Sequence, residues 1–210
     1  MTCYKSDSGA RIAPAALPLA PDVQEAIDVV MRGNPPLLLF TTLARDRRLF
    51  GKFFSSGLLD RGHLTIRQRE IVIDRVTALC GAEYEWGVHV AIYAAKAGLT
   101  AAQIASLTVG GPDDECWDVQ EQLLIRFCDS LHRGCTVDDE LWHELTQGFS
   151  DEAMIELLML AGFYRTVSYL VNALRLPPEP NALRFGDIGG PAGGQTCGSC
   201  DPRQAPGELP

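Results

Sequence analysis

The ten residues Cys80–His89, CGAEYEWGVH, crowd a thiol, two carboxylates two positions apart, two aromatic rings and an imidazole into one short run. Read as part of a helix over 82–97, positions 82, 85, 86 and 89 recur at spacings of three and four and share a face. Ala82, Glu85, Trp86 and His89 then stand together, with Glu85 and His89 an i,i+4 pair. Glu70 lies nineteen residues before His89 on the preceding helical segment, and an antiparallel helix hairpin carries its carboxylate into the same space. Enclosed by Ile73, Tyr84, Trp86 and Val88, such a cluster loses water. Carboxylate pKa values then rise, and a proton can sit on either partner. That is acid/base chemistry in a pocket lined by Ile73, Tyr84 and Trp86. Spacing alone favours the plainer reading, polar groups on the exposed edge of an amphipathic helix.

The elements that hold these residues all read as helices. "PDVQEAIDVVMRG" (21–33) opens on Pro and closes on Gly, the usual helix asymmetry. Residues 34–59 follow as one or two helices after a Pro pair. Thr65 with Gln68, and Thr100 with Gln103, have capping-box spacing, and Gly98 is placed for a left-handed stop. "CWDVQEQLLIRFCDSLHRG" and "DDELWHELTQGF" make two more, and Ser150 opens a long last helix with Asp151 and Glu152 in its first turn. Alternating patterns bounded by hairpin turns are missing. The expected fold is all-α, with an irregular arm over 1–20, one helical domain over 21–180, and a tail over 185–210. The tail is so rich in Gly and Pro that its burial cannot offset its ordering entropy, which predicts flexibility.

Composition excludes several classes of function. A net charge of −9 over 210 residues opposes general binding to nucleic acid or anionic lipid. Ala153–Leu174 is apolar enough to suggest a membrane span, but Glu156, Arg165 and Asn172 interrupt it, so a helix buried in a core or between subunits is expected. No signal peptide is recognisable, and seven scattered cysteines suit reduced thiols in the cytoplasm. Cys197-Gly-Ser-Cys200 in the tail lacks the further ligands a zinc site needs and the helix N-terminus a redox dithiol needs. Neither a metal nor an organic cofactor is expected.

The run "LTIRQREIVIDRVTALCGAEYEWGVHVAIYAAKAGLTAAQIASL" (64–107) resembles the core of the carboxymuconolactone decarboxylase and alkylhydroperoxidase-D superfamily. The marks are Arg69-Glu70 early in one helix, His89 at the family distance on the next, and the Gly-Leu-Thr stop before a short helix. The likeness extends over roughly 20–180 and implies a helical bundle around a central antiparallel hairpin. It also implies homo-oligomers, trimers or hexamers, with the site near a subunit boundary. In the peroxidase members a Cys-x-x-Cys precedes the histidine. Here those positions hold Ala82 and Glu85, and Cys80 falls about 200° around the helix, on another face. The chain therefore looks like the cysteine-free, decarboxylase-type branch. That implies cofactor-free decarboxylation or isomerisation of a small unsaturated lactone or keto acid. His89 would be the general acid/base, Glu70 its orienting group, and Glu85 a second proton carrier. Two alternatives stay open: a peroxidase-like antioxidant using Cys80 or the tail dithiol, and a non-catalytic binding protein on the same scaffold.

Overall fold

Helices begin in this chain where a side-chain oxygen is available to the first free backbone N–H groups. Thr65, Thr100 and Asp118 each accept from the residue three positions on and close full capping boxes with Gln68, Gln103 and Glu121. Asp46, Asp138 and Ser150 cap three others. The structure, a computed structural model, describes residues 9–56, 58–180 and 182–188. Among these it forms nine α-helices, one 3-10 turn and no strand, so the fold is the expected all-α. The helices are α1 (Pro21–Met31), α2 (Leu38–Leu43), α3 (Arg47–Phe54), α4 (Ile66–Leu79), α5 (Glu83–Ala97), α6 (Ala101–Val109), α7 (Val119–Gly134), α8 (Asp139–Thr146) and α9 (Asp151–Leu174).

The centre of the molecule is α4. Every side chain from Glu70 to Thr77 is buried, because α5, α6, α7 and α9 surround it. It turns into α5 through Gly81, whose φ of +61° a side chain would strain. The Ala82 N–H returns to the Thr77 carbonyl at 2.8 Å, which closes an antiparallel hairpin. α7 runs alongside α4 in parallel, in a register set by two ion pairs. Arg67 Nε meets Glu121 Oε1 at 2.5 Å, and Arg75 Nε meets Asp129 Oδ1 at 2.7 Å. Ile71, Ile73, Leu124, Phe127, Leu157 and Leu160 fill the space between. A smaller cluster of Val23, Ile27, Met31 and Phe50 joins α1 to α3.

Helix boundaries differ from expectation in two places. α1 takes its left-handed stop at Arg32, one residue before Gly33, with Arg32 N–H bonded to the Asp28 carbonyl. α7 starts only at Val119, because Trp117 turns inward before the cap and donates Nε1–H to Ser106 Oγ at 2.7 Å. The long α9 is apolar enough by length and composition to cross a membrane, with a mean hydropathy of 1.3. It buries Met154, Leu157, Ala161, Tyr164, Val167 and Val171 as one stripe, the pattern of a helix packed in a core.

The ends of the domain need one correction. Residues 185–188, expected to begin a flexible tail, pack back on α5 as part of a strap. Glu83 accepts from the Phe185 backbone N–H at 2.9 Å and from Arg184 Nη1 at 3.0 Å. The Phe185 ring lies 4.9 Å from that of Trp86, and the Leu183 carbonyl comes so near Gly87 that a Cβ there would overlap it. The rest of the tail, including Cys197 and Cys200, lies outside the described residues, as do residues 1–8 of the arm.

Candidate functional site

Glu70 and His89 meet across the α4–α5 hairpin, with His89 Nδ1 2.8 Å from Glu70 Oε2. On the other side of the ring, Nε2 lies 3.0 Å from the Tyr164 hydroxyl of α9 and 3.5 Å from Glu85 Oε1. Arg69 Nε stands 3.5 Å from Glu70 Oε1. Glu70 has no solvent exposure and His89 only 4%, and Glu85 is buried too. Burial on this scale rules out the exposed-edge reading. The packing aromatics complete the enclosure: Tyr164 meets the imidazole edge-on at 5.0 Å, and half-exposed Tyr93 stacks over it at 5.2 Å.

Electrostatics follow from this geometry. Burial alone would depress the His89 pKa, but hydrogen bonds to Glu70 and Glu85, with the charge of both, overcome it and push the pKa up to about 10. The ring is therefore imidazolium at neutral pH, with Nδ1–H donating to Glu70 and Nε2–H facing the Tyr164 oxygen and Glu85. Burial, reinforced by the Glu85 and Glu70 charges, drives the Tyr164 phenol well above its ordinary range, so it remains neutral. The site is an imidazolium held between two carboxylates and a phenol, a proton donor shut away from water.

The three carboxylate and imidazole candidates thus converge, and the three proposed pocket residues do not join them. Tyr84 accepts from the Leu39 N–H and donates its O–H to a hydrogen bond with Glu179. Trp86 packs on Phe185, and Ile73 is sealed in the core. Neither of two surface clefts, one beside Val76, Cys135 and Arg165 and the other beside His63, Glu152 and Met159, is lined by any of them. Four residues of the site escaped the sequence reading. Tyr93 lies four residues after His89 and Asp74 four after Glu70, a helical spacing that could have flagged both. Arg69 was noted as a motif residue without a role in the cluster. Tyr164, 75 residues from His89, left no local signal.

Thiols stand apart from this cluster. Cys80 is the C-cap of α4 and not a member of α5, so the expectation of another face of the same helix is corrected. Its carbonyl accepts from Asn172 of α9. Cys80, Cys116, Cys128 and Cys135 are free, and burial raises the Cys128 thiol far above its usual range. Among the described residues, no group of three or more His, Cys, Asp or Glu is arranged to hold a metal ion.

Comparison with known proteins agrees with the fold. Residues 48–124 match the model of the carboxymuconolactone decarboxylase family. The fold is similar to an uncharacterized peroxidase-related protein from Silicibacter sp. TM1040, at a TM-score of 0.73 and 17% identity over 89% of this chain and 98% of that one. It is similar to the debrominase Bmp8 in complex with 2,3,4-tribromopyrrole, at 0.71 and 15% over 83% and 95%. It is also similar to an alkylhydroperoxidase AhpD core protein from Ralstonia eutropha JMP134, at 0.68 and 20% over 80% and 93%. No curated protein matches the sequence significantly. Residues 48–124 thus carry the pattern of the carboxymuconolactone decarboxylase family, and the fold as a whole is similar to that of alkylhydroperoxidase-D-like proteins.

Proposed function

We propose that this protein is a cofactor-free enzyme that moves a proton next to a carbonyl, decarboxylating or isomerising a small unsaturated lactone or keto acid. The observation that carries the proposal is the buried bridge from Glu70 through His89 to Tyr164 and Glu85. Loss of CO2 leaves an electron pair that must spread into an adjacent unsaturated carbonyl, giving an enolate-like transition state. An imidazolium in a dry site stabilises that developing oxyanion and can then return a proton to carbon. Glu70 fixes the ring through Nδ1, which aims Nε2–H at the substrate, and Glu85 is placed to carry a second proton. The ligands named for the matches support the substrate class. A carboxymuconolactone and a tribromopyrrole are both small, unsaturated five-membered rings.

A positioned acid/base is worth about 10²–10⁴ in rate. Screening unsaturated lactone and keto acids for CO2 release or isomerisation should find a substrate whose turnover falls by that order in His89→Ala. Turnover that survives His89→Ala and Glu70→Gln overturns the proposal.

The peroxidase-related names among the matches motivate a second reading, thiol-dependent reduction of hydroperoxides. The absence of a thiol at Ala82 and Glu85 weighs against it. Substantial hydroperoxide turnover that Cys80→Ser removes would establish it. Our reading also includes work in the cytoplasm as a homo-oligomer, trimer or hexamer, on a small molecule. The free thiols and the net charge of −9 support that reading.

A further inference from the structure

Arg165, the charge that interrupts the apolar sequence of α9, has no part in the relay. It is half-buried in the lining of a cavity of about 190 Å3 between α7 and α9. Val76, Cys128 and Ala161, all buried, form the inner wall, and Leu131 and Leu158 extend the apolar lining outwards. His132, Cys135 and Gly162 complete it near the surface. None of Glu70, Glu85, His89 and Tyr164 reaches this space.

Glycine weakens a helix interior relative to alanine, yet Gly162 stands in the middle of the 24-residue α9. A methyl group at that position would meet no neighbouring atom within 4 Å among the described residues, so packing inside this chain does not require the glycine. What the missing side chain provides is room in the cavity. The guanidinium beside it is only partly used. Arg165 Nε donates to the Tyr169 hydroxyl at 2.9 Å, which fixes the plane of the group. Its two terminal nitrogens have no hydrogen-bond partner among the described residues. Such a fork matches a carboxylate, which can accept from both nitrogens at once. His132 adds an N–H donor, and with Arg133 it offsets the negative end of α7. The nearest acid along α7, Asp129, has both oxygens on Arg75.

We propose that this cavity is a second ligand site, which takes a small apolar monocarboxylic acid. The carboxylate lies on the terminal nitrogens of Arg165, and the hydrocarbon body lies over Gly162 against Cys128, Leu131 and Ala161. Apolar walls with one or two orienting polar groups are the ordinary make-up of a small-molecule site. An apolar cavity of about 150 Å3 accepts benzene, so this slightly larger one suits a single ring or a chain of roughly six carbons. An apolar helix face from a second copy, seated on Gly162, would cover the two terminal nitrogens and leave them unpaired, a cost that a carboxylate removes. The site does not rest on the proton-transfer reading.

Titration calorimetry of the full chain with benzoate and hexanoate tests the site, with benzamide as the uncharged counterpart. Both acids should bind, and benzamide should bind about tenfold more weakly or worse. Arg165→Gln should bring benzoate down to the level of benzamide, the loss of a charge-assisted pair. Gly162→Leu, which fills the cavity, should abolish binding of both acids while Tm holds or rises, because leucine is the better helix former. Should that variant fail to fold, the smaller intrusion of Gly162→Ala should still weaken both acids. In wild type, benzoate should slow alkylation of Cys135 and leave Cys116 unaffected, followed by peptide mass spectrometry. His89→Ala should bind the acids as wild type does. No binding at millimolar acid, equal binding of benzamide, or an affinity unchanged by the substitutions at Arg165 or Gly162 overturns the proposal. So does binding lost in His89→Ala, which would put the acid at the relay. A wild type that binds nothing, while Gly162→Leu lowers the mass seen by light scattering, would give the cavity to a second copy and overturn it too.

Discussion

His89 is charged because of its neighbours, so its state can be read from theirs. In Glu70→Gln the hydrogen bond to a carboxylate is gone and burial, which lowers the pKa, is less opposed. The imidazole should then titrate well below 10, and NMR of the ring nitrogens as a function of pH checks it. Stability follows the same charge. A folded-state pKa raised from 6.5 to about 10 gives a contribution that is complete below pH 6.5 and lost as the pH rises through 10. Wild-type Tm should fall across that window, and Glu70→Gln should flatten the fall. Glu70→Ala, which takes the nearer of two carboxylates from a buried imidazolium, should cost about 3–5 kcal/mol in chemical denaturation. At this scale the sequence was informative where chemistry obeys helical periodicity. Spacings of four residues, and a hairpin linking 70 to 89, were enough to assemble Glu70, Glu85 and His89. Tyr164 was invisible because the packing of a distant helix brings it in. Tyr84 was misplaced because its ring shares the cluster's helix while its hydroxyl is committed to Glu179.

Capping residues set the elements, and they were the most legible part of the chain. The boxes at Thr65–Gln68 and Thr100–Gln103 were readable in the sequence and are formed in the structure. Thr65→Ala should therefore cost about 1 kcal/mol, measured by denaturant unfolding, by releasing the first N–H groups of α4. The strap of residues 182–188 was not legible. Its residues have no periodicity, and its attachment depends on an acceptor at Glu83 and on the missing side chain of Gly87. Gly87→Ala should lift the strap, because the Leu183 carbonyl oxygen occupies the position of the new methyl group. Trp86 would lose Phe185 as a neighbour, and its fluorescence should shift to the red with faster exchange of the Phe185 amide.

For the whole molecule, the outer side of α9 is the unresolved balance between burial and exposure. Ile155, Met159 and Tyr169 each leave more than half of their surface exposed on the same helix, with Gly162 among them. Contiguous apolar surface of this kind is a common mark of association. In the assembly proposed above, light scattering should give a mass that is a multiple of 22.9 kDa, and the double variant Ile155→Asp/Met159→Asp should lower it. A clean 22.9-kDa wild-type species would refute the assembly. Association of this kind leaves a trace in sequence only as excess apolarity, which hints at partners without counting them.

One guanidinium shows how narrow the chain's mutational options are. Arg75 spans α6 and α7 from α4, with Nη1 on the Leu107 and Gly110 carbonyls at 3.0 and 3.1 Å and both remaining nitrogens on Asp129. A lysine would keep the charge but offer its protons from a single point, unable to hold a carboxylate in two places and two carbonyls besides. Sequence drift at this position has no conservative exit: every single-residue replacement unties two helices from the third at once.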